Sequence, residues 1–221
     1  MTTDNLIFRQ LRQELFTAVV GDVMDRIGLR HQFLPPDIRP LRADMVVVGR
    51  AMTVLEADHE ESADVPEGFG LMFRALDDLK PGEVYICAGA SPTYALWGGL
   101  MSTRAGRLGA TGAVLDGFHR DTREIVELGF PVFSKGAYAQ DQRGRGLVID
   151  FRVPIGFANG CQISPGDVIF GDIDGVVVIP KDAAQEVVRL ALEKVNGEAN
   201  VRRMIAEGQT TEDVFKKTGI M

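Results

Sequence analysis

Three consecutive residues, His119-Arg120-Asp121, concentrate groups that do chemistry. Arg120 presents a planar fork of donors that grips a carboxylate with two bonds. Asp121 presents hard oxygen ligands of the kind Mg2+ or Mn2+ takes. His119 titrates near neutrality and is a candidate base beside them. A cation next to a carboxylate is also how an ordinary salt bridge and a helix cap look, and at the level of three residues both readings stand. No lysine lies on this stretch to form a Schiff base, which favours a metal route to any carbonyl chemistry.

The elements around the triplet fix where it must sit. Gly112 to Leu115 is a short apolar run of small and branched residues, which predicts a buried strand. Asp116-Gly117 ends it with a turn. Thr122 to Leu128 sets Ile125, Val126 and Leu128 among charges, a short helix that Asp121 or Thr122 is placed to cap and Gly129 to close. Phe130-Pro131 then leads to Val132-Phe133. The triplet therefore lies past the C-terminal end of a strand and just before a helix, the edge where ligands gather in sheets with helical crossovers.

A second stretch feeds the same edge. Val84 to Ala88 reads as a buried strand after the Lys80-Pro81-Gly82 turn, and Ala95 to Leu108 as a helix with Leu96, Leu100, Ala105 and Leu108 inward. Gly98-Gly99 falls in its first turns, where each glycine costs ~1 kcal/mol relative to alanine. Backbone N–H groups at a helix start cradle anions; close packing against a strand explains the glycines equally well.

Elsewhere the patterns are structural. Leu6, Leu11, Leu15 and Phe16 mark one helix, and Thr17 is placed to cap a second that Gly28 stops; Asp22 and Asp25 lie on its rim or its solvated face. Met45 to Val48 and Ala51 to Leu55 read as a strand bulged at Gly49-Arg50. Glu56 to Glu61 is an acidic patch around His59, a solvated loop or a metal site. Gly68 to Leu79 reads as helix. Gly136 to Gly146 is polar and glycine-rich, a flap or a subunit contact. Leu147 to Val153, Phe157 to Ile163, Val168 to Phe170 and Val176 to Ile179 read as turn-linked strands of a sandwich or barrel. A long helix begins at Lys181-Asp182 and continues through Glu198, and Thr210 caps a last one to Lys217.

The bulk numbers fit one domain over 1–221, with helices at about 4–28 and 181–217 as appendages. A net charge of −7 argues against nucleic acid as the default partner, since phosphate binding needs a basic patch. Cys87 and Cys161 stand outside any zinc spacing and read as buried thiols. Met1 to Gln10 has no apolar core of a leader, and no apolar run is long enough to span a membrane. A cytoplasmic protein is expected.

Taken together these pieces resemble the RraA-like family: Gly21-Asp22-Val23-Met24-Asp25, Gly49 to Val54, Trp97-Gly98-Gly99-Leu100, Asp116 to Asp121, Phe130 to Phe133, Pro165-Gly166-Asp167 and Asp172 to Pro180. That family holds class II pyruvate aldolases acting on 4-hydroxy-4-methyl-2-oxoglutarate and 4-carboxy-4-hydroxy-2-oxoadipate, and also RraA proteins that inhibit a ribonuclease. The resemblance implies an α/β fold, a central β sandwich or barrel flanked by helices and similar to swivelling phosphohistidine domains. It implies homotrimers or homohexamers with sites between subunits. Carried onto matching positions, Asp121 would ligate Mg2+ or Mn2+, Arg120 would bind a 2-oxo acid's carboxylate and polarise its carbonyl, and the backbone of Gly98, Gly99, Leu100 and Met101 would hold the carboxylate's other end. Glu198 would reach the metal's waters from a neighbouring subunit. The chemistry implied is retro-aldol release of pyruvate from a 4-hydroxy-2-oxo acid, with oxaloacetate decarboxylation through the same enolate. A protein regulator without turnover and a dehydration on a related acid are the alternatives. One departure stands out: Gly99 falls where the family's aldolases carry an acidic residue that helps move protons.

Overall fold

Strands buried on both faces, whose side chains alternate between one core and another, build the centre of the molecule. The computed structural model describes residues 3–59 and 69–220. From the N-terminus come α1 (Thr3–Glu14), α2 (Thr17–Arg26), β1 (Arg39–Pro40) and β2 (Val47–Asp58). Then follow α3 (Met72–Asp77), β3 (Glu83–Ala88), β4 (Ala95–Trp97), α4 (Gly99–Leu108) and β5 (Gly112–Leu115). Next are β6 (Phe118–His119), α5 (Thr122–Leu128), β7 (Val132–Ser134) and β8 (Gly146–Phe151). The chain ends in two hairpins, β9 (Ile155–Gly156) with β10 (Gln162–Ile163) and β11 (Val168–Asp172) with β12 (Gly175–Ile179), and two helices, α6 (Ala184–Ala206) and α7 (Thr211–Thr218).

One eight-stranded sheet runs β1-β7-β5-β3-β2-β11-β12, with β8 pairing β2 from the side. The strands β2, β3, β5 and β7 are mutually parallel, joined by crossovers that contain α3, α4 and α5. The sheet curls almost shut. Residues 32–34 run along β12, with Leu34 N–H donating to Val176 O at 3.0 Å and Val178 N–H to Gln32 O at 2.7 Å. Arg39 on β1 then donates to Ile173 O and Asp174 O in the β11–β12 turn. Few strand edges remain open, which is how barrels avoid edge pairing.

The period of two sorts side chains into three cores. Val84, Ile86, Val114, Phe133 and Ile169 fill the barrel. Their neighbours Tyr85, Cys87, Ala113 and Leu115 face out beneath α3, α4 and α5, where Trp97 and Ile125 join them. On the opposite flank Val48, Phe170, Val177 and Ile179 meet α1, α2 and α6. The α/β class with a barrel and flanking helices is as the resemblance implied.

Several local expectations shift. Thr17 is not the cap of α2: Phe16 holds that position, and the Thr17 amide and hydroxyl both go to Asp172, at 2.8 and 2.7 Å. The strand β2 passes Gly49-Arg50 unbroken and is irregular instead between Leu55 and Glu56. The helix expected over Gly68 to Leu79 is the shorter α3, and Gly68 lies outside the described residues, as do Glu60 and Glu61 of the acidic patch. Phe157 to Ile163 is the turn and second strand of a small hairpin. The helix expected from Ala95 starts at Gly99, because Ala95 to Trp97 is buried on every side and runs as strand. Leu100, expected inward, is 81% exposed. Thr210 does cap α7, accepting the Asp213 N–H.

Candidate active site

The strands β3 and β5 are neighbours in the sheet, and each continues past a bend into a strand that pairs again. These are β4 and β6, parallel, with Ala95 opposite Phe118 and Trp97 opposite His119. Gly89, at φ 110°, makes the first bend. The second pairing sets the two chemistry-bearing stretches side by side: Gly98-Gly99 follows β4 and Arg120-Asp121 follows β6. The Arg120 N–H donates to Trp97 O at 2.9 Å.

Trp97 anchors this corner. Its ring lies 4.8 Å from Tyr85 and 6.0 Å from Phe130, centre to centre. Its indole N–H donates to Ser102 Oγ at 2.7 Å, and Ser102 Oγ donates to Gly98 O at 3.1 Å. The first turn of α4 is thereby tied to the strand that precedes it.

Asp121 occupies the cap position of α5 in a left-handed conformation, φ 59°, and its side chain does not cap that helix. It reaches across instead, accepting the Gly99 N–H at 3.0 Å. Thr122, the other expected cap, bonds His119. The two glycines are explained by this arrangement. A Cβ on Gly98 would stand 2.6 Å from Asp121 Oδ2, and one on Gly99 would fall on the carboxylate of Glu124. The N–H groups of Leu100 and Met101 remain as donors of the first turn, which has no intrahelical acceptor for them.

Arg120 is held from two sides. Its Nη1 lies 3.3 Å from Asp141 Oδ1 and its Nε 3.9 Å from Asp121 Oδ2, with 38% of the side chain exposed. Arg120, Asp121, Asp141 and Gln142 form the polar side of a cavity of about 290 Å³. Gly98, Leu100 and Met101 border it at the start of α4, and Phe69, Met72, Phe73 and Leu76 make an apolar wall. An anion entering here meets a guanidinium and the backbone N–H groups that start α4.

Behind Gln142 lies an unexpected group. Glu56 is 2% exposed and accepts Gln142 Nε2 at 2.6 Å. Its Oε1 has no hydrogen-bond partner among the described residues. Burial pushes its carboxyl up to about 7, against the opposing pull of the Gln142 bond.

His119 is placed differently from its chain neighbours. It is 3% exposed, with Nδ1 2.7 Å from Ser134 Oγ and Nε2 3.0 Å from Thr122 Oγ1. Both partners are hydroxyls, which accept or donate, so either neutral tautomer is satisfied. Burial lowers its pKa. It borders a separate cavity beside Ser134 and Lys135, not the one that Arg120 and Asp121 line.

Glu198 lies on α6, which packs on α1 and α2, and pairs with Lys194 at 2.9 Å. Within one chain it borders neither cavity that Asp121 lines. Among the described residues no three acidic, His or Cys side chains converge as a cage. Asp121 fits the other mode of Mg2+ binding, one or two carboxylates completed by water and substrate oxygens. Its Oδ2 is used by Gly99, and its Oδ1 makes no hydrogen bond among the described residues.

The sequence is matched over residues 17–178 by the model of the RraA-like family, described as Aldolase/RraA. A provisionally named 4-hydroxy-4-methyl-2-oxoglutarate aldolase of Halalkalibacterium halodurans is 33% identical over 192 residues, 86% of this chain and 85% of that protein. Protein DlpA of Legionella pneumophila is 30% identical over 89% of this chain, which spans only 31% of DlpA. The crystal structure of Streptomyces coelicolor RraAS2, described as an unusual member of the RNase ES inhibitor RraA family, superposes with a TM-score of 0.80 at 26% identity, over 91% of this chain and 99% of that one.

Proposed function

The chain belongs to the RraA-like family, Aldolase/RraA, and from that premise we propose that it is a divalent-metal-dependent lyase releasing pyruvate from a 4-hydroxy-2-oxo acid. The observation that carries this reading is the convergence of Arg120, Asp121 and the start of α4 on one cavity. The aldolase name of the H. halodurans relative supports it.

In this reading the substrate carboxylate lies between Arg120 and the N–H groups of Leu100 and Met101. Asp141 holds the guanidinium plane, so the fork is oriented before substrate arrives. Asp121 is the anchor for Mg2+ or Mn2+, which when bound supplies Lewis acidity toward the 2-oxo oxygen. As the C3–C4 bond breaks, its electron pair moves into the C2–C3 enolate, and Arg120 faces the negative charge that develops on oxygen. Oxaloacetate decarboxylation passes through the same enolate. His119, with both ring nitrogens held, positions the loop and takes no proton from substrate. The homotrimer that the family resemblance implies would bring Glu198 of another copy toward the waters around Asp121; sedimentation velocity checks the assembly.

The test is pyruvate release from 4-hydroxy-2-oxo acids and from oxaloacetate, with Mn2+ or Mg2+ and with chelator. Removal of the metal, Arg120→Ala and Asp121→Ala each lower the rate by at least about 10²-fold. Full activity in both variants overturns the assignment. A wild type that neither turns over nor binds oxalate with Mg2+ favours instead the regulatory reading that the likeness to RraAS2 raises.

A further inference from the structure

We propose that Glu124 is the proton-moving carboxylate of this site, delivered from α5 into the space that a side chain at position 99 would fill. The inference rests on the lyase reading above and adds a residue to it.

Retro-aldol cleavage needs a group to take the C4 hydroxyl proton. The groups already placed are committed elsewhere. Arg120 offers donors and no acceptor. Asp121 caps α4 and anchors the metal. Asp141 is paired with Arg120, both nitrogens of His119 are bound, and Glu56 is sealed behind Gln142. Glu124 differs from all of these. It lies in the first turn of α5, it is exposed, and no hydrogen bond or ion pair engages its carboxylate among the described residues. Neighbouring Arg123 is drawn to Glu127 at 3.0 Å and leaves it alone.

Its position is set by a glycine. A Cβ built on Gly99 would overlap the Glu124 carboxylate and stand 3.0 Å from Glu124 Cγ. Gly99 does not have a positive φ, so its backbone admits any residue; Glu124 is what excludes a side chain. Gly98 and Leu100, on either side, border the cavity, and Glu124 lies over the glycine between them, outside the residues that line it. The Asp121 and Glu124 carboxylates thus flank one glycine, the first bonded to its N–H and the second lying over its Cα. Residue 99 contributes no acid, and an acid from another helix occupies the same place.

The step balances. Glu124 takes the C4 hydroxyl proton as the C3–C4 bond breaks, C4 leaves as a carbonyl, and the bonding pair enters the enolate. The proton then returns to C3, giving pyruvate.

The experiment compares wild type, Glu124→Gln, Glu124→Ala, Gly99→Asp and the double variant Gly99→Asp/Glu124→Ala, all with Mn2+ or Mg2+. Three readouts are taken: pyruvate release, exchange of pyruvate methyl protons into D2O followed by NMR, and oxalate affinity by calorimetry. Oxalate mimics the enolate and needs no proton transfer. Glu124→Gln lowers both rates by about 10²-fold or more and leaves oxalate affinity within about twofold. The double variant regains at least tenfold over Glu124→Ala, since it returns a carboxylate to the same space. Gly99→Asp alone melts below wild type, and removing Glu124 from that background restores the melting temperature. Rates for Glu124→Gln within about threefold of wild type, beside an active wild type, overturn the role of Glu124 while the lyase reading survives. A Glu124→Gln variant changed only in melting temperature does the same, because it marks a helix-terminus charge and not a base. A wild type without turnover or oxalate binding removes both.

Discussion

Substituting Glu56 by Gln should stabilise the protein in alkaline solution and leave it nearly unchanged in acid. Glu56 belongs to β2, and the period of two that carries Met52 and Val54 beneath α3 and α4 carries it there too. It meets Tyr85 and Cys87, whose own pKa values are raised by burial first and by the Glu56 charge second. Its carboxyl is pushed up from 4.5 to about 7. Between those values the folded chain keeps a proton that the unfolded chain has released, so stability falls as pH rises through the window. At about 1.4 kcal/mol per pH unit, the full cost is about 3 kcal/mol above pH 7. Glutamine keeps the shape and still accepts the Gln142 N–H, but never ionises. For a chain of this size 1 kcal/mol moves the melting temperature by ~2–4 °C, so Glu56→Gln should melt roughly 6–12 °C higher at pH 8. At pH 5 the two proteins should melt within about 2 °C of each other. The assay is thermal unfolding by circular dichroism at half-unit steps from pH 5 to pH 8. Two curves that run parallel across that range would refute the reasoning, since they would mean that Glu56 ionises in the folded chain as easily as in the unfolded one.

Two further outcomes can be checked with the same instrument. His119→Ala should cost about 2–4 kcal/mol, because it opens a cavity and removes the hydrogen bonds to Ser134 and Thr122. It should also remove a pH slope of the opposite sign to that of Glu56: His119 has a lowered folded pKa, so the stability it gives is complete above the unfolded value near 6.5 and lost as pH falls below it. Gly112→Ala should cost ~1–3 kcal/mol, because its Cβ would stand 2.6 Å from Val47 Cγ2 and 2.9 Å from Pro131 O inside the barrel wall; chemical denaturation at pH 7 measures it.

Local chemistry made one half of the site legible in the sequence. Gly112 to Leu115 and Thr122 to Leu128 are the observed strand and helix, and Gly129 closes the helix in the left-handed region. The other half was hidden by a run that is apolar without a period. Tyr94 to Trp97 is buried throughout, and such a run fits a strand as well as the start of a helix. Its strand character comes from pairing with β6, a contact over twenty residues away that no local pattern encodes. The same holds for the caps. Asp121 and Thr122 have the residue types that cap α5, yet Gly99, 22 residues back in the chain, takes the first side chain, and His119, only three residues back, takes the second. Glu56 and Gln142, 86 residues apart, meet only through the sheet.

The diversion of Asp121 explains why a strained backbone is kept at the centre of the site. A non-glycine residue in the left-handed region costs about 1–2 kcal/mol, least for Asp and Asn. An ordinary extended cap would turn the carboxylate back onto α5 and away from α4. The left-handed turn sends it across to the Gly99 N–H, so one carboxylate joins the starts of two helices that follow different strands. Only Oδ2 is spent on that bond. The remaining oxygen is thereby fixed in direction before any ligand arrives, with Arg120 Nε 3.9 Å from the bonded one. Positioning of this kind lowers the conformational entropy that the side chain itself would lose on binding a ligand. It also ties the anchor to the geometry of Gly98, where a Cβ would stand 2.6 Å from the same carboxylate. The glycine pair is therefore a requirement of the acid groups on α5: one glycine leaves room for Asp121 and the next for Glu124.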